Sequence, residues 1–560
     1  MPHAPRTKPL HWSLLILVMA LVIYGPFLGF RFARVAGDDK VYVAQALEMF
    51  RSGHWFLQTW GGEPNYFKGP LHYLFLIAGM KVFGLTMWAT LYMNLLLLVL
   101  GAVSFAHLLL LQVQKISADY AEMAARWGGI ALLTTLGVYS FTFASQMELE
   151  LVSFYIFAMY FAYRADQPKA RWPHYALWIS IGLAGWLKSP LHSVLLGTST
   201  LLYWLVRGSL KAHLKKPQAW LALILGITAG IAGYLPALIH DRENFISTYW
   251  IRESVEKVSR GHPLESFWAV TTWLALPWSP LLWLSFTRLR QTWKQLALPL
   301  SFALPTVLFF VFHPYHSHIY DLPVIGPLLL IVGLSFFLGR GTLPLRLERW
   351  IYFFTASLFL CAAALFAAIA THFQPLPVWV PAVFLWIPAG GFLFAGLLWI
   401  LPVILKLDLK STLGTTLAGA ILSFFSLGFF GVTLGEREMH DLRAILKSRP
   451  DVKVTYYNLD TTIWNEWGYL NFMLRRPVEV ANKMPALEAA IKRRDWILVN
   501  SQDQLTHVKA LIPSKASYRV HTWKRWRLQG KDAQGRSLYQ EAWDKRDLSV
   551  LERDYFVISF

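Results

Sequence analysis

Cysteine is all but absent from this chain: Cys361 is the only one in 560 residues. An internal disulfide, a cysteine-based metal site and a thiol redox motif are therefore excluded. Charge is scarce as well. Asp, Glu, Lys and Arg make up 15% of the sequence, against about 25% in soluble globular domains. With 55% hydrophobic and 16% aromatic residues, the chain reads as an integral membrane protein. Internal repeats, heptad runs and low-complexity segments are missing too. The formal net charge of +19 invites a nucleic-acid reading. The basic residues, however, cluster between apolar runs, where they set membrane topology, so no nucleic-acid partner is expected.

What is present is a series of apolar runs near the ~20 residues that cross a bilayer. They fall at 11–30, 87–112, 127–146, 150–166, 173–187, 190–206, 218–239, 267–286, 295–312, 319–338, 350–371, 378–405 and 412–434. The fold class is thus an α-helical polytopic membrane protein with about thirteen spans. The run at 71–84 is short and reads as an interfacial or re-entrant helix. MPHAPRTKPLHW is basic and has no small-residue cleavage site after it, so the first span is expected to be retained.

Short cytoplasmic loops collect Lys and Arg. With the N-terminus inside, alternate loops hold Lys115 and Arg126; Arg164, Lys169 and Arg171; Arg207, Lys211, Lys215 and Lys216. Later ones hold Arg288, Arg290 and Lys294; Arg340, Arg346 and Arg349; Lys406 and Lys410. An odd number of spans then places the tail outside. That tail is polar, and candidate strands (452–457, 496–499, 518–521) alternate with helical patterns such as 484–494. The expected division is a membrane domain over 1–435, with its first outer loop at 31–70, and an extracytoplasmic α/β domain over 436–560.

This topology gathers polar groups on one membrane face. Asp38, Asp39 and Lys68 lie in the first loop, GDDKVYVAQALEMFRSGHWFLQTWGGEPNYFKGPL; Glu148 and Glu150 precede one span, and Lys188 follows another in WLKSPLHS. Arg242, Glu243, Arg252, Glu253, Arg260 and His262 occupy a further loop, and His313, His316 and His318 a last one. Ionisable groups beside a bilayer are costly unless paired, hydrated or ligand-bound. Transfer from a phosphate-activated donor needs a carboxylate to accept a proton and cations to neutralise the leaving phosphate. Blander roles exist for each residue. Asp38 is also a helix N-cap candidate, Lys188 a snorkelling lysine, and the three His a surface cluster or a metal site. Shared sidedness, rather than any one residue, carries the inference.

Several of these segments, in order, resemble one family: the bacterial GT-C glycosyltransferases related to the lipid A aminoarabinose transferase and the protein O-mannosyltransferases. GDDKVYVAQALEMFRSGHWF is similar to its first-loop signature, NYFKGPLHYLF to its Lys–Pro–Pro–Leu segment, and QMELELVSFYIF to its second acidic position. GLAGWLKSPLHSVLL, FISTYWIRESVEKVSRGHP, ALPWSPLL and HPYHSHIYDLPVIGPLLL follow in the family's order. The chain departs from the pattern at Phe67, Gly69 and Glu148, where the family has Glu, Pro and Asp.

The resemblance implies transfer of a sugar from a polyprenyl-phosphate donor to a lipid A, glycan or protein acceptor. It places the reaction on the periplasmic face of the bacterial inner membrane. It implies Asp38 or Asp39 as the base or acceptor-orienting group, with Glu148 as the second acidic residue. Lys68, Lys188, Arg252 and Arg260 would face the donor phosphate. Tyr66, His262, His318 and Tyr320 complete the candidate substrate-binding set. No metal ligand set is assigned. The alternatives from other classes are a secondary transporter, whose polar sites lie at the midplane of related halves, and a polymer ligase or oligosaccharyltransferase moving a whole glycan.

Overall fold

The computed structural model describes residues 9–30, 38–66, 68–167, 171–247, 249, 264–286, 295–312, 319–338, 345–373, 382–459, 467–526 and 537–560. Among the described residues up to Lys447 the chain is mostly helical, as its apolar runs predict. It opens with α1 (Pro9–Tyr24), the loop helix α2 (Asp39–Ser52) and α3 (Pro70–Phe83). Next come α4 (Met87–Gln114), α5 (Ala118–Leu133), α6 (Leu136–Thr142), α7 (Met147–Ala165), α8 (Trp172–Leu187) and α9 (Pro190–Val206).

Among the described residues four helices are long and apolar enough to cross a membrane: Met87–Gln114, Arg349–His372, Val383–Ile404 and Leu409–Val432. Six shorter apolar helices, among them Pro70–Phe83 and Pro190–Val206, accompany them.

Several of the expected continuous runs are broken, among them 218–239, split between Pro217–Ala232 and Leu235–His240, and two that meet each other. The 127–146 run splits between α5 and α6, and the 267–286 run splits into Glu265–Thr271 and Ser279–Phe286. Backbone polar groups freed inside an apolar bundle must find partners, and here the two breaks supply each other. Leu136 N donates to Leu276 O (2.8 Å) and Gly137 N to Leu274 O (2.7 Å). Trp278 Nε1 donates to Thr134 O at 3.1 Å.

The division expected at 435/436 falls inside a helix, because Leu409–Lys447 continues unbroken for 39 residues. At 1.5 Å per residue it is about 58 Å long, roughly twice the hydrocarbon thickness. It passes from the bundle to the sheet of the C-terminal domain, named the outer domain after the side the topology expects for it, where it packs against the strand Arg519–Trp526.

A two-stranded ribbon, β1 (Thr59–Trp60) and β2 (Glu63–Pro64), lies in the first loop. The outer domain holds β3 (Val454–Tyr457), β4 (Val478–Ala481), β5 (Trp496–Val499), β6 (Arg519–Trp526) and β7 (Glu552–Ser559) in the order β4-β3-β5-β7-β6. β3 pairs in parallel with β4 and β5, while β7 runs antiparallel to β5 and β6. Every residue of β3 and β5 is buried, as expected for central strands covered on both faces. The strand expected at 518–521 extends to Trp526, and β4 and β7 were not anticipated.

Candidate active site

The site is built where α8 ends. Ser189 and Pro190 stop that helix, and Pro190 opens α9. The carbonyls of its last turn therefore need partners from elsewhere. Tyr234 Oη donates to Gly185 O (2.6 Å), Tyr249 Oη to Lys188 O (3.3 Å) and Gly69 N to Lys188 O (3.2 Å). The last bond draws the first loop onto the helix end. A Cβ on Gly69 would lie 2.0 Å from Trp186 O, so only glycine permits the approach. Thus the Lys68–Gly69–Pro70 sequence sets Lys68 beside Lys188.

Lys188 is buried and its Nζ donates to Glu148 Oε1 at 2.7 Å, with side-chain exposures of 11% and 5%. Glu148 and Glu150 lie in the first turn of α7, where the helix dipole favours anions. The Lys188 ammonium also sits 4.5 Å from the Tyr320 ring centroid, a cation–π contact. Lys68 is close enough for its charge to act on Glu148 and on His192. Asp38, Glu148 and Tyr320 all act electrostatically on Tyr42, which is buried on α2. Lys188 thus joins Glu148 and Tyr320 directly, Lys68 lies within electrostatic reach of Glu148, and Asp38 within that of Tyr42.

The aspartate pair divides. Half-buried Asp38 is the N-cap residue of α2, and its charge acts on Tyr42. Buried Asp39 instead accepts from Tyr469 Oη of the outer domain at 3.0 Å, through Oδ2.

Tyr66 lies in an aromatic cluster with Tyr234, Phe245 and Tyr249, its ring 5.3 Å edge-on to Phe245. Burial, and then Asp241 beside it, hold its hydroxyl above the ordinary tyrosine range, so it stays neutral. Arg252, Arg260, His262 and His318 lie outside the described residues, as do Phe67, His313 and His316.

Three polar groups escaped the sequence reading. His72, one turn beyond Lys68, bonds Glu150 through Nδ1 (3.0 Å), with Ser145 Oγ 3.5 Å from its Nε2. His192 Nδ1 lies 3.4 Å from Tyr155 Oη, which also contacts Thr306 Oγ1 at 3.1 Å. Asp321 is fully buried, and neither carboxylate oxygen has a hydrogen-bond partner among the described residues. Its only sequence signal is a charge placed between Tyr320 and an apolar run.

Chemically, the arrangement offers two ammonium groups for an anion, a half-buried carboxylate for a proton, and aromatic and hydroxyl walls between them.

No family model and no curated protein sequence matches the chain. Its architecture does match solved structures. ArnT from Cupriavidus metallidurans bound to undecaprenyl phosphate superposes with a TM-score of 0.70 at 18% identity, covering 98% of this chain and 98% of that one. The apo form of the same protein gives 0.69 at 18% identity, covering 99% and 98%. The chain therefore adopts the fold of ArnT over essentially its whole length.

Proposed function

We propose that the protein is a membrane glycosyltransferase that moves a sugar from a polyprenyl-phosphate donor to an acceptor hydroxyl. The acceptor belongs to an envelope lipid, glycan or protein, and the reaction takes place on the periplasmic face of the inner membrane. In this reading the N-terminus is cytoplasmic and the α/β domain periplasmic. The observation that carries the proposal is the buried Lys188–Glu148 pair with Lys68 beside it. It sits in a fold whose solved counterpart was crystallised with undecaprenyl phosphate.

In the proposed reaction Lys68 and Lys188 hold the donor phosphate, with Arg252 and Arg260 assisting. Glu148 fixes the Lys188 ammonium, and Tyr320 covers it. Asp38 accepts the proton of the acceptor hydroxyl as that oxygen attacks the anomeric carbon. The anomeric C–O bond to phosphate breaks and polyprenyl phosphate leaves, its charge met by the lysines. A single displacement inverts the anomeric centre.

Purified protein incubated with a labelled polyprenyl-phosphate pentose or hexose and an envelope extract tests this. Sugar transfer with release of polyprenyl phosphate supports it. Transport of the donor without release, or transfer of whole glycans only, refutes it. Asp38→Asn is expected to lower the rate at least a hundredfold while the protein stays folded. Full activity in that variant would remove Asp38 from the mechanism.

A further inference from the structure

The outer domain grips the first loop at both ends of α2. At the N-terminal end, Tyr469 Oη donates to Asp39 Oδ2 (3.0 Å), with Asp39 6% and Tyr469 7% exposed. At the C-terminal end, Arg51 Nη2 donates to Asn471 Oδ1 (2.8 Å), and its guanidinium lies 5.6 Å from the Trp467 ring centroid. Asn471 is itself fixed by the outer domain: its Oδ1 accepts from Val478 N (2.7 Å) and its Nδ2 donates to Trp467 O (2.8 Å). Between the two ends the helices touch backbone to backbone, since a Cβ on Gly468 would lie 2.7 Å from Ala44 N. One eight-residue helix, Trp467–Leu474, thus supplies Tyr469, Asn471 and the glycine contact.

Asp38 immediately precedes the gripped residue. Its carbonyl accepts from Val41 N (2.9 Å) and Tyr42 N (3.3 Å), so any rotation of the first turn of α2 carries the Asp38 carboxylate with it. A hydrogen bond to a carboxylate buried in protein is among the stronger kinds and resists such rotation.

We propose that Asp39 and Tyr469 form a latch by which the outer domain positions Asp38 for proton transfer. The latch makes Asp39 and Tyr469 positioning residues and assigns the outer domain a role in turnover. The inference rests on the glycosyltransferase reading above.

Tyr469→Phe removes one hydroxyl and keeps the ring. In full-length protein, kcat should fall about tenfold, as expected for a displaced catalytic group, while donor KM and polyprenyl phosphate binding change less than about twofold. Asp39→Asn should give a similar loss. The double variant should be little worse than either single one, because both break the same contact.

Hydrogen exchange gives a readout independent of activity: the Val41 and Tyr42 amides should exchange faster in Tyr469→Phe, with exchange in α7 unchanged. Unchanged kcat, a change confined to KM, or multiplicative losses in the double variant would overturn the latch. Unchanged exchange at Val41 and Tyr42 would overturn it on structural grounds alone. If the exchange result holds but the wild-type protein transfers no sugar from any polyprenyl-phosphate donor, the functional reading fails and the mechanical coupling stands. Should Tyr469→Phe fold poorly, Asp39→Asn supplies the same comparison from the other side of the contact.

Discussion

The membrane bundle and the outer domain use charge in opposite ways. In the bundle the Lys188–Glu148 pair is shut away from water and anchored by helix ends. In the outer domain several pairs lie open: Lys453–Glu479 spans 3.4 Å with side-chain exposures of 63% and 47%, and Arg493–Glu479 spans 2.8 Å with 42% and 47%. Exposed pairs contribute little because water already solvates both ions. A buried pair is different, since losing one partner strands a charge in a poorly solvating interior. A charge kept in the bundle at that risk marks a candidate functional site.

The comparison is broken most directly at the buried pair. Lys188→Met should cost about 3–5 kcal/mol and abolish donor binding, read by detergent-phase unfolding and by labelled-donor binding. Adding Glu148→Gln should restore much of the stability and none of the binding. A single Lys188→Met as stable as wild type would remove the distinction between the two regions.

The next effect down concerns how Lys68 reaches its place. Gly69→Ala puts a methyl 2.0 Å from Trp186 O, a backbone atom that has little room to move. A cost of about 1–3 kcal/mol and weaker donor binding are expected, and unchanged thermal melting and donor KM would count against the close approach. Smallest of all, Lys453→Gln in the outer domain should change unfolding free energy by less than about 0.5 kcal/mol. A drop several times larger there would show that the outer-domain pairs are not the bland surface contacts their exposure implies.

The site was partly legible. Lys68, Glu148 and Lys188 stood out because each is a charge at the edge of an apolar run, and burial then brought them together. The aspartate pair was visible but not divisible, since Asp38 and Asp39 are chemically identical and Tyr469, 430 positions from Asp39, distinguishes their surroundings. His72 and His192 escaped because a histidine in an apolar helix has no spacing that marks its partner. Tyr66, drawn in by the motif around Lys68 as a candidate substrate contact, has its ring among Tyr234, Phe245 and Tyr249.

The fold divides the same way. Hydropathy located the apolar runs but not the breaks at Thr134–Thr135 and around Leu276, since a hydropathy window averages over a kink. The end of the membrane segment near 435 is where hydrophobicity stops. The helix itself runs to Lys447, because backbone hydrogen bonding continues wherever side chains find packing, in lipid or against a sheet. β7 was missed because its pattern is only half-buried, and its pairing with β5 and β6 is nonlocal.

Composition alone determined that this chain belongs in a membrane, because apolar surface on this scale cannot be hidden otherwise. The ordered motifs pointed to the GT-C fold. Which aspartate meets Tyr469, why residue 69 is glycine, and how the outer domain reaches the first loop were decided by tertiary structure alone. Each depends on groups distant in sequence meeting within about 3 Å, and hydrogen bonds form only at such range.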